Sequence, residues 1–196
     1  MASETGIHRD AEVFIYTGQE RNAIPRDPIR VRFDPSVTAI PDYAFMDCRK
    51  VEEVQLCEGL QEIGGHAFYE CRALKRFTIP STVKRIGAHT FVNTPLRSLH
   101  LPDGMESIGI GAFSCGEFSY FRIPPLITTI PKGVFTACEC LFSLELPEGT
   151  REIEADAFSL CHSLRNVAIP PNAGTEEDSF KSSTDLQQLF GSEVQI

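Results

Sequence analysis

The sequence predicts a solenoid, an elongated stack of coils that is mainly β, with short strands, turns and short helical or 3₁₀ turns. Three observations predict it. Ile40, Ile63, Ile86, Ile108, Ile130 and Ile153 recur at steps of 23, 23, 22, 22 and 23 residues. Phe45, Phe68, Phe91, Phe113, Phe135 and Phe158 follow at the same steps. Pro80, Pro102, Pro124, Pro147 and Pro170 form a third series with the same two spacings. A fixed period in the twenties marks coils that bury their apolar faces only against their neighbours.

Taken in order, residues 1–11 read as a flexible tail. Residues 12–35 read as an N-terminal cap: Val13-Phe14-Ile15-Tyr16 is β-prone and ends at Gly18, and Val31-x-Phe33 resumes the strand pattern. Residues 36–170 hold six coils. Each begins with a strand whose apolar residues stand two apart and point inward, as in Val54-x-Leu56, Phe77-x-Ile79 and Phe121-x-Ile123. Pro stops most of these strands where no further ladder donor is needed. A turn and a short extended piece lead to the Ile. An Ala-Phe pair then follows in most coils, the small Ala admitting close backbone approach and the Phe filling the interior. A single helical or 3₁₀ turn is expected there. Aligned on the next apolar residue, a corner column reads Cys48, Cys71, Asn93, Cys115, Cys138, Cys161 and Ser183. Small side chains that bond neighbouring backbone suit a tight corner. Residues 171–196 are a degenerate seventh coil or a C-terminal cap, with a short helix expected over 184–190.

The recurring pattern Ile-Pro/Gly-x-x-Ala-Phe-x-x-Cys-x-x-Leu-x-x-Val-x-Leu/Ile-Pro resembles the BspA-like leucine-rich repeats. The resemblance runs over about residues 36–170 and rests on six positions recurring through six coils. It implies a right-handed leucine-rich-repeat solenoid with a parallel sheet. It also implies a role in protein interaction or adhesion, and it brings no catalytic residues.

Composition narrows the function. With 18 basic and 27 acidic residues the formal net charge is −9, which repels phosphate backbones and anionic lipid. Nucleic acid is not an expected partner. No apolar run approaches the length of a membrane span, so no membrane insertion is expected. The polar stretch Met1–Glu12 carries no signal-peptide pattern, which points to the cytoplasm or nucleus, or to the extracellular side if a leader is missing.

The candidate chemistry is sparse. Seven cysteines are an odd number, and those in the corner column should stack side by side rather than face one another, so free thiols are expected. Cys57 stands where other coils have Pro and is expected among the faster to react. Cys138-x-Cys140 lacks the second ligand pair of a structural zinc site, and His66 with His89 makes only two ligands, so no metal is expected. Gly109-Ile110-Gly111 is the repeat's own turn and lacks the last Gly of a phosphate loop. Charged residues fall at outward positions and no triad or carboxylate pair stands out, so neither an enzyme nor a cofactor is expected.

What remains is the outward face of the strands. One column reads Arg30, Glu53, Arg76, Ser98, Tyr120, Ser143, Asn166, and the next Arg32, Gln55, Thr78, His100, Arg122, Glu145, Ala168. Tyr and Arg dominate interface hot spots, and they gather in the middle coils. Arg76, His100, Tyr120 and Arg122 are therefore the candidate partner-binding residues. The expected function is a monomeric, non-catalytic scaffold that binds a protein partner. The alternative is a fragment of a cell-surface adhesin or receptor ectodomain.

Overall fold

The computed structural model describes residues 13–183. Its strands are β1 (Val13–Tyr16), β2 (Arg30–Phe33), β3 (Ala39–Ile40), β4 (Glu53–Gln55), β5 (Glu62–Ile63), β6 (Arg85–Ile86), β7 (Ser107–Ile108), β8 (Tyr120–Arg122), β9 (Thr129–Ile130), β10 (Ser143–Glu145), β11 (Glu152–Ile153), β12 (Asn166–Val167) and β13 (Gly174–Thr175). Every pairing between them is parallel. Among the described residues the one helical element is a 3₁₀ turn, Arg21–Ala23. The chain is thus a parallel β-solenoid in which each coil visits three faces. The tail and the helix expected over 184–190 lie outside the described residues.

The first face is the strand face, with sheets β1-β2-β4 and β8-β10-β12. The second carries the Ile series, with sheets β3-β5-β6-β7 and β9-β11-β13. The third is built from the Ala-Phe turns. There every second amide reaches the next coil: Tyr43, Phe45 and Asp47 donate to Gly65, Ala67 and Tyr69. Bonds of the 3₁₀ spacing close each turn internally, as from Ala44 N–H to Pro41 and from Met46 N–H to Tyr43. Between these bonds stand two residues per turn with positive φ, such as Tyr43 (62°) and Asp47 (61°), which stop the turns from winding into a helix. This ladder repeats from Tyr43 to Leu160, whose N–H donates to Lys181.

The Phe column is the core. Phe45, Phe68, Phe91, Phe113, Phe135, Phe158 and Phe180 stack with ring centroids 5.1 to 6.0 Å apart. This spacing follows from the coil rise, because one ring per coil at a fixed position must repeat at roughly the strand separation. Phe180 extends the stack onto Phe158, and β13 extends the second face, so the repeat continues through residues 174–183.

The corner column differs from the sequence alignment in two coils. The buried corner positions are Cys48, Cys71, Thr94, Gly116, Cys138, Cys161 and Ser183. Thr94 and Gly116 stand where Asn93 and Cys115 were expected. The physical reason is backbone conformation: Asn93 (φ 54°) and Cys115 (φ 60°) share the left-handed column with Asp47, Glu70, Ala137, Leu160 and Ser182. The missing residue of the two shorter coils therefore falls after the corner rather than before it. Most corner side chains bond the Phe carbonyl of the preceding coil. Thr94 Oγ1 donates to Phe68 O (2.6 Å), Cys71 Sγ to Phe45 O (3.2 Å), Cys138 Sγ to Phe113 O (3.2 Å) and Cys161 Sγ to Phe135 O (3.1 Å). At Gly116 the Phe118 ring takes the space, since a Cβ there would lie 2.2 Å from it.

Both sheets are interrupted, at different levels. The second face breaks between β7 and β9, where the position after Ile130 is Pro131. The matching residues of the preceding coils, Gly87 and Gly109, each donate to the Ile carbonyl of the coil before; Pro131 has no N–H and leaves Ile108 without that bond. The strand face loosens in the middle, where one bridge, Arg76 to Ser98, stands in place of continuous strands. Neither β4 with 76–78 nor 98–100 with β8 forms a ladder. At both junctions an aliphatic inward residue, Val54 or Leu99, is followed by a Phe. The rings of Phe77 and Phe121 reach inward to 4.9 Å from Phe68 and 5.1 Å from Phe113.

Candidate partner-binding face

The four residues predicted for partner contact, Arg76, His100, Tyr120 and Arg122, are all exposed, and all lie at the loosened part of the strand face. The structure divides them between two openings. Arg76 borders a cleft of about 1140 Å³ at the junction of Val54 and Phe77. His100, Tyr120 and Arg122 border a smaller groove of about 120 Å³ whose other lining includes Leu99 and Leu101.

Tyr120 and Arg122 are held in place. β8 and β10 set Arg122 directly opposite Glu145. The Tyr120 hydroxyl donates to Glu145 Oε2 (2.7 Å), and Arg122 Nη1 donates to Asp103 Oδ1 (2.6 Å). The bond to Glu145 holds the Tyr120 proton and raises that hydroxyl above the ordinary tyrosine range. These bonds are exposed, so they contribute little stability. Their effect is to restrict two large exposed side chains to one arrangement. Arg76 and His100 make no side-chain hydrogen bond or ion pair of this kind among the described residues. Asp103 was not visible as part of this group in the sequence, because it sits in a turn outside the outward strand columns.

On the opposite side, the ring of His66 lies 5.1 Å from that of His89 and stacks on Tyr43 at 4.9 Å. Burial, with His89 next in importance, lowers the His66 pKa, while Asp42 opposes the shift. No group of three or more metal-ligating side chains occurs among the described residues.

All seven cysteines are free thiols. Burial pushes Cys48 up to about 11 and Cys161 to about 12, and raises Cys71 and Cys138 as well. Cys57 is half-buried, and its thiol points at the carbonyls of Asp34 (3.3 Å) and Val37 (3.7 Å). Half-burial and these two acceptors are expected to make it slower to react than its place at a strand end implies. Cys115, expected to be packed, is exposed with Cys140. Burial is also the first cause raising the Cys115 thiol, with Glu139 adding to it. A thiol reagent applied to native protein is expected to label Cys140 first, Cys115 more slowly, and the four buried thiols only on unfolding. Mass spectrometry of the labelled peptides reads the order; Cys57 labelling ahead of Cys140 would overturn it.

The sequence profile described as the BspA type leucine rich repeat region matches in six copies, over residues 29–140 and 61–187. The chain belongs to this family. Among solved structures it is similar to a T. pallidum leucine-rich repeat protein, with 32% identity over 70% of this chain and 65% of that one, at a TM-score of 0.66. A Bacteroides ovatus leucine-rich repeat protein is 31% identical over 78% of this chain and 46% of that one, at a TM-score of 0.71. A leucine-rich cell surface protein from Faecalibacterium prausnitzii shares the fold at 24% identity, over 80% of this chain and 58% of that one, with a TM-score of 0.54. The chain therefore spans just under two-thirds of the first relative and under half of the second. No curated protein matches. Among the described residues no helix is long and apolar enough to cross a membrane.

Proposed function

We propose that this chain is a non-catalytic scaffold that binds a protein partner through the outward strand face of its middle coils. The observation that carries the reading is the coincidence of two independent features. The face opens at the junctions of Val54 with Phe77 and of Leu99 with Phe121, and the Arg and Tyr side chains typical of hot spots stand at those same openings. Openings in an otherwise paired sheet supply concave, partly apolar ground, while the columns on either side supply the polar rim. The family is one of repeat scaffolds, and the charged groups found here are ion-paired or solvated rather than gathered into a reactive centre.

The test begins with a pull-down using the whole chain and continues by calorimetry on the partner recovered. Tyr120→Ala and Arg122→Ala are each expected to weaken binding by about 1–3 kcal/mol. Stability should barely change, because neither side chain fills the coil. Unchanged affinity in both variants, with loss on replacing His66 and His89 instead, would move the site to the opposite side.

A further inference from the structure

We propose that the main-chain N–H groups of Ala88 and Ile110 form a binding site for a carboxylate. The site lies where the second face meets the face of the Ala-Phe turns, and it does not rest on the strand-face reading above.

The first observation is a column of amides that the chain caps with its own carboxylates, and the two places where it does not. The column is Gly65, Ala88, Ile110, Lys132 and Ala155, each two residues after its Ile. Gly65 N–H donates to Asp42 Oδ1 (2.6 Å), Lys132 N–H to Glu154 Oε2 (2.7 Å) and Ala155 N–H to Glu176 Oε2 (2.8 Å). Each carboxylate comes from a neighbouring coil. Asp42 stands in the same column one coil back; Glu154 and Glu176 stand one coil on and one position earlier. For Ala88 those two places hold Gly65 and Gly109, and for Ile110 they hold Ala88 and Pro131. None of these is acidic, and the N–H groups of Ala88 and Ile110 have no partner among the described residues.

The second observation is access. A Cβ on Gly109 would lie 2.3 Å from the Ala88 nitrogen, so the bare glycine leaves that amide uncovered. Gly87 stands in the same relation to Gly65, its Cβ falling 2.3 Å from that nitrogen, and the Gly65 N–H so uncovered is the one Asp42 occupies. Ala88 and Ile110 are also fixed at adjacent levels. Gly109 N–H donates to Ile86 O and His89 N–H to Ile110 O, both at 2.8 Å. Amides of successive coils are about 4.8 Å apart. The two oxygens of one carboxylate bridge that spacing by accepting one bond each.

The third observation is charge. Lys132 follows Ile110 in the column, and its ammonium has no ion pair among the described residues. It favours an anion in the gap. Asp42 and Glu154 bound the gap at its two ends, so a single negative charge fits better than a doubly charged phosphate. Glu154 and Glu176 themselves cap successive coils, so carboxylates at consecutive levels are compatible with the fold.

The probe is sodium acetate at neutral pH, titrated into ¹⁵N-labelled protein against sodium chloride of equal ionic strength. Saturable amide shifts are expected at Ala88 and Ile110, with little change at Gly65, Lys132 and Ala155, which are already capped. Lys132→Ala should weaken acetate binding by about two- to fivefold, the level of an exposed charge pair. Ala88→Asp should supply the missing cap from within: its carboxylate should move the Ile110 amide as acetate does and leave no acetate-dependent shift there. Acetyl-alanine offers the carboxylate of a chain terminus and acetyl-glutamic acid amide that of a side chain; the tighter binder at these amides identifies the source a partner would present. Absence of saturable shifts at Ala88 and Ile110 overturns the proposal, and so does an equal response along the whole column, which is a general salt effect. Inorganic phosphate binding there more tightly than acetate overturns the carboxylate class.

Discussion

Phe113→Ala is expected to lower unfolding stability by about 3–5 kcal/mol, the range for emptying a buried aromatic site. Phe113 is fully buried and sits at the crossing of two ring systems. Along the column it stacks between Phe91 (6.0 Å) and Phe135 (5.5 Å). Across the coil it meets Phe121 (5.1 Å) and Phe118 (6.2 Å). Its neighbours cannot collapse into the space, because each is tied to its own coil by the ladder that runs through the Ala-Phe turns. Phe113 itself donates to Val134 O at 3.0 Å through that ladder. Coupling in a solenoid is between nearest neighbours, so the coils on either side should lose amide protection first. Urea denaturation and hydrogen exchange measure the two effects. A loss below about 1 kcal/mol would mean that the ring is not a packing element, since that is the level of an ordinary surface change.

Gly109→Ala is expected to be the next most damaging change, although it adds only a methyl group. A Cβ at Gly109 would stand 2.3 Å from the Ala88 nitrogen and 2.4 Å from the Gly87 carbonyl carbon. Both obstacles are backbone, so no side-chain rotation relieves them. The coil must move away, and with it the bond from Gly109 N–H to Ile86 O (2.8 Å) is strained. Overpacking of this kind costs about 1–3 kcal/mol. Gly87→Ala should behave alike, its Cβ falling 2.3 Å from the Gly65 nitrogen. By contrast, Gly149→Ala meets nothing within 4 Å and should be nearly silent. Parallel urea melts of the three variants decide the matter; equal stability in all of them would refute the close-approach argument.

The columns of Ile and Phe are legible in the sequence because burial in a repeat demands one residue type at one spacing, and here the demand is nearly absolute. The corner was legible in five coils of seven. It failed at Thr94 and Gly116 because counting from the following Leu96 and Phe118 assumes that every coil spends the same number of residues after its corner. The signal that corrects it is conformational. Non-glycine residues such as His66, Glu70 and Leu160 adopt positive φ, with no glycine to announce it. The break at Pro131 can be argued from sequence, since proline withholds a donor. The break beside Val54 cannot, because no residue there withholds a backbone donor. For the same reason the four candidate residues could be chosen by type and column, but the cleft that separates Arg76 from the other three could not.

The unequal continuity of the three faces has a mechanical consequence. Among the described residues, only the face of the Ala-Phe turns is bonded from coil to coil at every level, and it is backed by the stacked rings. Under load that side behaves as an inextensible cord, while each strand sheet is a set of links with slack between them. Force applied across the stack is therefore expressed as bending about the cord, with the compliance concentrated where the links part. Curving one way narrows the mouth beside Arg76, and curving the other way widens it.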